Sequence, residues 1–179
     1  MNIDRKIKLL KDLKKSLLNN KISIGSWIQI PSSNTAEIMS FSGYEWIAVD
    51  MEHGQIEFNQ LPDIFRALEL GDTLPLVRVK ESNTINCSQA LDAGAMGVIL
   101  PNILSKDQLE KIIHEIIWPP KGSRGVGFCR ANLYGRNFIK YKQIAENILI
   151  IPMIENIKSI ENLEEILSLK QISAIFIGP

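Results

Sequence analysis

The sequence predicts an α/β chain of parallel βαβ units, a (β/α)8 barrel truncated after about six strands. Short runs rich in isoleucine and valine alternate with helical patterns along the chain. The runs GVIL, ILIIPMI and ISAIFI are almost continuously apolar, which suits parallel strands buried on both faces. Polar and charged residues follow these runs at their carboxyl ends, where barrels build their sites.

Residues 1–21 read as an amphipathic N-terminal helix. Ile3, Ile7, Leu10, Leu13 and Leu17 recur at spacings of three and four, opposite a solvated basic face of Arg5, Lys6, Lys8, Lys11, Lys14, Lys15 and Lys21. Strands are expected at 24–30, 46–50, 74–79, 96–100, 148–154 and 172–177. Helices are expected at 36–42 after the cap candidates Asn34 and Thr35, at 59–70 ending on Gly71, and at 84–92 ending on Gly94. Two more are expected at 106–117, stopped by Pro119, and at 159–169, with Ile160, Leu163, Ile166 and Leu167 on one face. A doubly wound sheet is disfavoured, because the first strand is followed by PSSNTAE and not by GxGxxG. A complete barrel needs eight units and roughly 250 residues. Residues 1–179 are therefore expected to form a single, partial barrel domain, and either the sequence is truncated or something else completes the barrel.

Apolar residues make up 45% and charged residues 22%, with 20 Lys and Arg against 20 Asp and Glu, so no electrostatic footprint for nucleic acid or an anionic membrane is present. No apolar run approaches a membrane span and no signal-type apolar segment is evident. Cys87 and Cys129 lack metal-ligand spacing and are too few for a disulfide framework, so a reducing cytoplasm is expected.

The richest site candidate is VDMEHG, where Asp50 and Glu52 crowd His53. Two carboxylates can orient an imidazole and raise its pKa for proton transfer. The other histidine, His114, falls mid-helix and has little claim to a site. Arg78 sits in the apolar run LPLVRVK, so its guanidinium must meet an anion. That anion is either a buried Asp50 or Glu52, or a substrate carboxylate or enolate. Glu155 closes IIPMIE and calls for a cation: an arginine, a hard metal such as Mg²⁺ or Mn²⁺, or Lys158 at a surface. Asn102 ends the fourth run. WPPKGSRGVGF reads as an elaborate βα loop, and FCRANLYGRNF as a shaper of the site's end, with Arg130 and Tyr134 as contacts.

In this order, GSWIQIPSSNTAEI, GYEWIAVDMEHG, LPLVRV, LDAGAMGVILPNI, WPPKGSRGVG, MIEN and IFIGP resemble the HpcH/HpaI aldolase family of class II pyruvate aldolases, over about residues 24–179. The resemblance implies a TIM barrel of the phosphoenolpyruvate/pyruvate type. It also implies metal-dependent aldol cleavage or condensation of 4-hydroxy-2-oxo acids, giving pyruvate and an aldehyde through a pyruvate enolate. By resemblance His53 is the general acid/base, with Asp50 orienting it. Arg78 binds the pyruvate carbonyl oxygen, and Gly178 and Pro179 lie at the substrate. Glu155 ligates a divalent metal, Mg²⁺ or Mn²⁺ with Co²⁺ as a third option, and Glu52 reaches it through water. A second carboxylate ligand is expected beyond Pro179. Met153 stands where the family usually carries glutamine, and Lys80 lies off the strand face where a Schiff base would form. The implied partners are a small 2-oxo acid and an aldehyde, without nucleic acid or membrane, in a homo-oligomer that is a hexamer in the family. The alternatives are a catalytically inactive barrel remnant and a related CoA-ester lyase, for which no convincing basic patch is evident.

Overall fold

The computed structural model describes residues 2–179. Its strands are β1 (Gly25–Ile28), β2 (Trp46–Asp50), β3 (Leu74–Arg78), β4 (Gly97–Leu100), β5 (Leu149–Ile154) and β6 (Phe176–Ile177). All pair in parallel in the order β1-β2-β3-β4-β5-β6. A doubly wound sheet would reverse its order at a switch point. Here the order never reverses and the sheet curls, so that the Trp27 ring of β1 and the Phe176 ring of β6 lie 5.3 Å apart between centroids. This is the wall of a barrel, open between β1 and β6.

Alternation along the strands sorts the side chains. Trp46, Leu76, Ile99, Leu149, Ile151 and Phe176 line one cavity of about 160 Å³, which Leu13 and Leu17 of the first helix help to wall. Ile47, Val49, Val77, Val98 and Ile150 alternate with them and are buried, as are Leu76, Ile99 and Leu149. Burial on both faces explains why these strands carry no polar alternation.

The helices are α1 (Ile3–Leu18), α2 (Ser33–Ser40), α3 (Leu61–Leu68), α4 (Thr84–Ala93), α5 (Lys106–Ile116), α6 (Phe138–Ala145), α7 (Ile157–Glu161) and α8 (Leu163–Leu167). Asn2 caps α1, Ser32 rather than Asn34 or Thr35 caps α2, and Gly94 ends α4 in the left-handed region at φ 116°. The apolar stripe of α1 is buried as expected. Its basic face is not wholly solvated: Lys6 is buried, with Nζ 2.6 Å from Glu69 Oε1, and Glu69 also accepts from the buried Arg130 at 3.1 Å. Burial pushes the Lys6 ammonium pKa down, and Glu69 opposes that shift.

Several expectations are corrected. The helix expected at 159–169 is two short helices, capped by Asn156 and broken at Asn162, whose side-chain amide donates to Leu104 O at 2.8 Å. The helix expected at 59–70 has 3-10 turns at each end, and the strand expected at 172–177 shortens to Phe176–Ile177. Helix α6 was not expected. The segment 118–138 is no βα loop, because it follows a helix and not a strand. It therefore lies at the amino ends of the strands, where Arg124 pairs with Asp92 and Arg130 donates to Ala93 O at 2.8 Å, both off the end of α4. Arg130 is thus a structural cation, and Tyr134 is an exposed residue of the same connection.

Candidate functional site

Gln29, Asp50, Arg78, Asn102 and Glu155 stand at or just past the carboxyl ends of five successive strands. Asp50 is the fully buried centre. Arg78 Nε donates to Asp50 Oδ1 at 2.9 Å and an Nη to Oδ2 at 2.6 Å, a two-point bond between neighbouring strands in register. Gln29 Nε2 donates to Oδ2 at 2.8 Å, and the Glu52 and His53 backbone N–H groups donate to Oδ1 at 3.1 and 3.2 Å. Gly54 makes this turn possible, since a Cβ there would lie 2.1 Å from Asp50 O. Burial by itself would raise the Asp50 carboxyl, but the bonds from Arg78, Gln29 and His53 hold it down at about 2.

The buried-pair reading of Arg78 is therefore realised, with Asp50 as its partner. The pair does not exhaust the guanidinium, which has five N–H groups and gives two to Asp50. A second Nη is 3.4 Å from Glu52 Oε2, and the Trp27 ring lies 5.0 Å from Cζ, so aromatic and carboxylate walls fix the cation. Glu52 Oε2 is buried without a hydrogen bond, and burial pushes the Glu52 carboxyl up against the pull of Arg78.

His53 is placed differently from the expected pairing. Its ring does not meet Asp50, which takes only its backbone N–H. The imidazole is largely exposed, with Nε2 3.9 Å from Glu52 Oε2. Across the site, Glu155 Oε1 accepts the Asn102 backbone N–H at 2.6 Å, a bond that uses the left-handed Asn102 backbone at φ 54°. Glu155 thus meets β4's end and not Lys158. Gly178 comes alongside, where a Cβ would stand 3.5 Å from Glu155 Oε2, and Pro179 is the exposed residue after it. Lys80 is held away by Glu57 at 2.6 Å, and His114 sits on α5 beside Ser123.

Among the described residues no group of three His, Cys, Asp or Glu side chains converges to hold a metal ion. The hard oxygens that suit one are the Glu155 carboxylate and Glu52 Oε2, which accepts no hydrogen bond although Arg78 lies 3.4 Å away. Magnesium is commonly held through one or two carboxylates, with water and substrate oxygens filling the rest. That donor set fits a divalent cation.

Gln29 and Trp27 escaped the sequence reading, although alternation through WIQ at the end of β1 places them on the same face as Asp50. Asp50's pKa lies below the ordinary carboxylate value, so its bonds stabilise the fold above that range and are lost as pH falls toward 2. Replacing Gln29 with leucine is expected to start that loss at higher pH. Acid unfolding followed by circular dichroism should shift its midpoint upward, and an unmoved midpoint would take Gln29 out of the set that holds Asp50.

The HpcH/HpaI aldolase/citrate lyase family model matches residues 23–179. A hydroxypyruvate/pyruvate aldolase of Roseobacter denitrificans is 32% identical over 95% of this chain and 67% of its own length. A 2-dehydro-3,6-dideoxy-6-sulfogluconate aldolase of Pseudomonas putida is 33% identical over 87% of this chain and 62% of its own. The chain thus spans about two thirds of the relatives it matches. The crystal structure of an HpcH/HpaI aldolase/citrate lyase family protein from Burkholderia cenocepacia superposes with a TM-score of 0.86 at 26% identity, covering 94% of this chain and 68% of that one. None of the helices described here is long and apolar enough to cross a membrane. With a matching family model, relatives above 30% identity and a shared barrel wall, the chain belongs to the HpcH/HpaI aldolase/citrate lyase family.

Proposed function

We propose that the strand-end site serves the metal-dependent aldol cleavage and condensation of 4-hydroxy-2-oxo acids, giving pyruvate and an aldehyde. The observation that carries this reading is Arg78: a nearly buried guanidinium locked on Asp50, with N–H groups left over at the carboxyl ends of barrel strands. In cleavage the 4-hydroxyl loses its proton, the C3–C4 bond breaks, and its electron pair moves toward the 2-oxo oxygen as the aldehyde leaves. Arg78 donates hydrogen bonds to that oxygen as negative charge builds on it, which is where a fixed donor accelerates the reaction. Asp50 holds the guanidinium so that little reorganisation is needed. His53, exposed beside Glu52, carries the proton between the hydroxyl and the enolate carbon. Glu155 would hold the divalent cation, Mg²⁺ or Mn²⁺, with Glu52 acting through water and the carboxylate that the family resemblance puts beyond Pro179. When bound, that cation supplies Lewis-acid polarisation of the 2-oxo acid.

The test is direct. Folded protein is mixed with a 4-hydroxy-2-oxo acid and Mg²⁺ or Mn²⁺, and pyruvate release is followed with and without chelator. Release that stops on chelation is expected. A well-folded chain that releases no pyruvate with either metal would sink the reading and favour an inactive barrel remnant.

A further inference from the structure

A cleft of about 590 Å³ lies at the other end of the barrel wall. It is bounded by the second half of α1, the last turns of α5, the start of β5 and the connection into β6. Its charged and titratable lining is Lys14, Lys121 and Lys170, with His114, against Glu110 and Glu146. Glu146 is already shared, 3.4 Å from Lys121 and 3.8 Å from Lys142. Lys14 is half-buried with no carboxylate within ion-pair distance among the described residues, and the charge it feels most is that of Lys121. Burial together with that like charge pushes its pKa down. Like charges gathered in a concave place repel each other, and Glu146 answers Lys121 but not Lys14, which leaves a place for a further anion. The floor beneath them is apolar, formed by Ile113, Ile117 and Ile172.

We propose that this cleft is a binding site for a small organic anion, separate from the strand-end site. The carboxylate or phosphate of the ligand lies between Lys14 and Lys121, and its apolar body rests on the isoleucine floor. Such sites combine a mostly apolar lining with a few charged groups that fix orientation. The cleft's walls all come from elements that precede β6.

The experiment uses the whole chain and three probes: hexanoate, hexan-1-ol and inorganic phosphate. Isoleucine methyl resonances are followed by NMR as each is added. Hexanoate is expected to shift the methyls of Ile113, Ile117 and Ile172 and to bind at least tenfold more tightly than hexan-1-ol. The double variant K14Q/K121Q should weaken hexanoate at least tenfold, while Lys14→Arg, which keeps the charge, should preserve binding and report that the fold is intact. Phosphate that displaces hexanoate would identify the head group as phosphate-type, and phosphate without effect would identify it as a carboxylate. Equal binding of hexanoate and hexan-1-ol, or undiminished binding by a folded K14Q/K121Q, would overturn the proposal. None of these readouts requires turnover, so they stand apart from the aldolase reading.

Discussion

Replacing Arg78 with alanine is expected to remove aldol turnover and to cost about 3–5 kcal/mol of stability, the usual penalty for leaving one partner of a buried ion pair alone. Asp50 would keep its Gln29 bond and two backbone N–H bonds but lose both guanidinium contacts. The two losses separate in a double variant. Arg78→Ala with Asp50→Asn removes both charges, so urea unfolding should recover much of the stability while pyruvate release stays down. Loss of an enolate-stabilising donor costs about 10²–10³-fold in rate. An Arg78→Ala protein that turned over at full rate would remove the enolate role, whatever its stability.

The second large effect is expected at the opposite end. Glu69 lies between Lys6 and Arg130, and all three are less than a tenth exposed. Glu69→Leu leaves two buried cations facing each other and is expected to destabilise the fold by about 3–5 kcal/mol in urea unfolding. Hydrogen exchange should show α1 losing protection first, because Glu69 ties Lys6 of that helix to the body. Protection of α1 equal to that of the parent chain would show that its apolar stripe alone secures it.

Much of this arrangement could be read from the residues. Near-continuous apolar runs located β4 and β5, because burial on both faces leaves a pattern that no helix of ordinary amphipathicity shares. Asp50, Arg78 and Glu155 announced themselves as charges at the ends of such runs. What stayed hidden depended on partners distant in the chain. Lys6 looks like its solvated neighbours until Glu69, 63 residues away, closes on it. The sequence offers Asp50 both to the nearby His53 imidazole and to Arg78, and the register of β2 on β3 gives its side chain to Arg78. Gln29 carried no signal of its own, since an uncharged amide near a strand end is unremarkable until its acceptor is known. The 118–138 segment was misplaced for a simpler reason: its glycines and prolines suggested a site loop, and the helix before it decides which end of the barrel it reaches.

The strand order has a consequence for how the chain is made. Each strand pairs with the one synthesised just before it, so the sheet can grow outward unit by unit. Helix α1 breaks that rule. Its ionic partners are Glu69 and Asp72 and, much further along the chain, Lys140, which pairs with Asp4. Its apolar stripe must wait for most of the wall to exist. The helix therefore docks only once segments far along the chain are in place, and until then its leucines are exposed surface that a chaperone can hold.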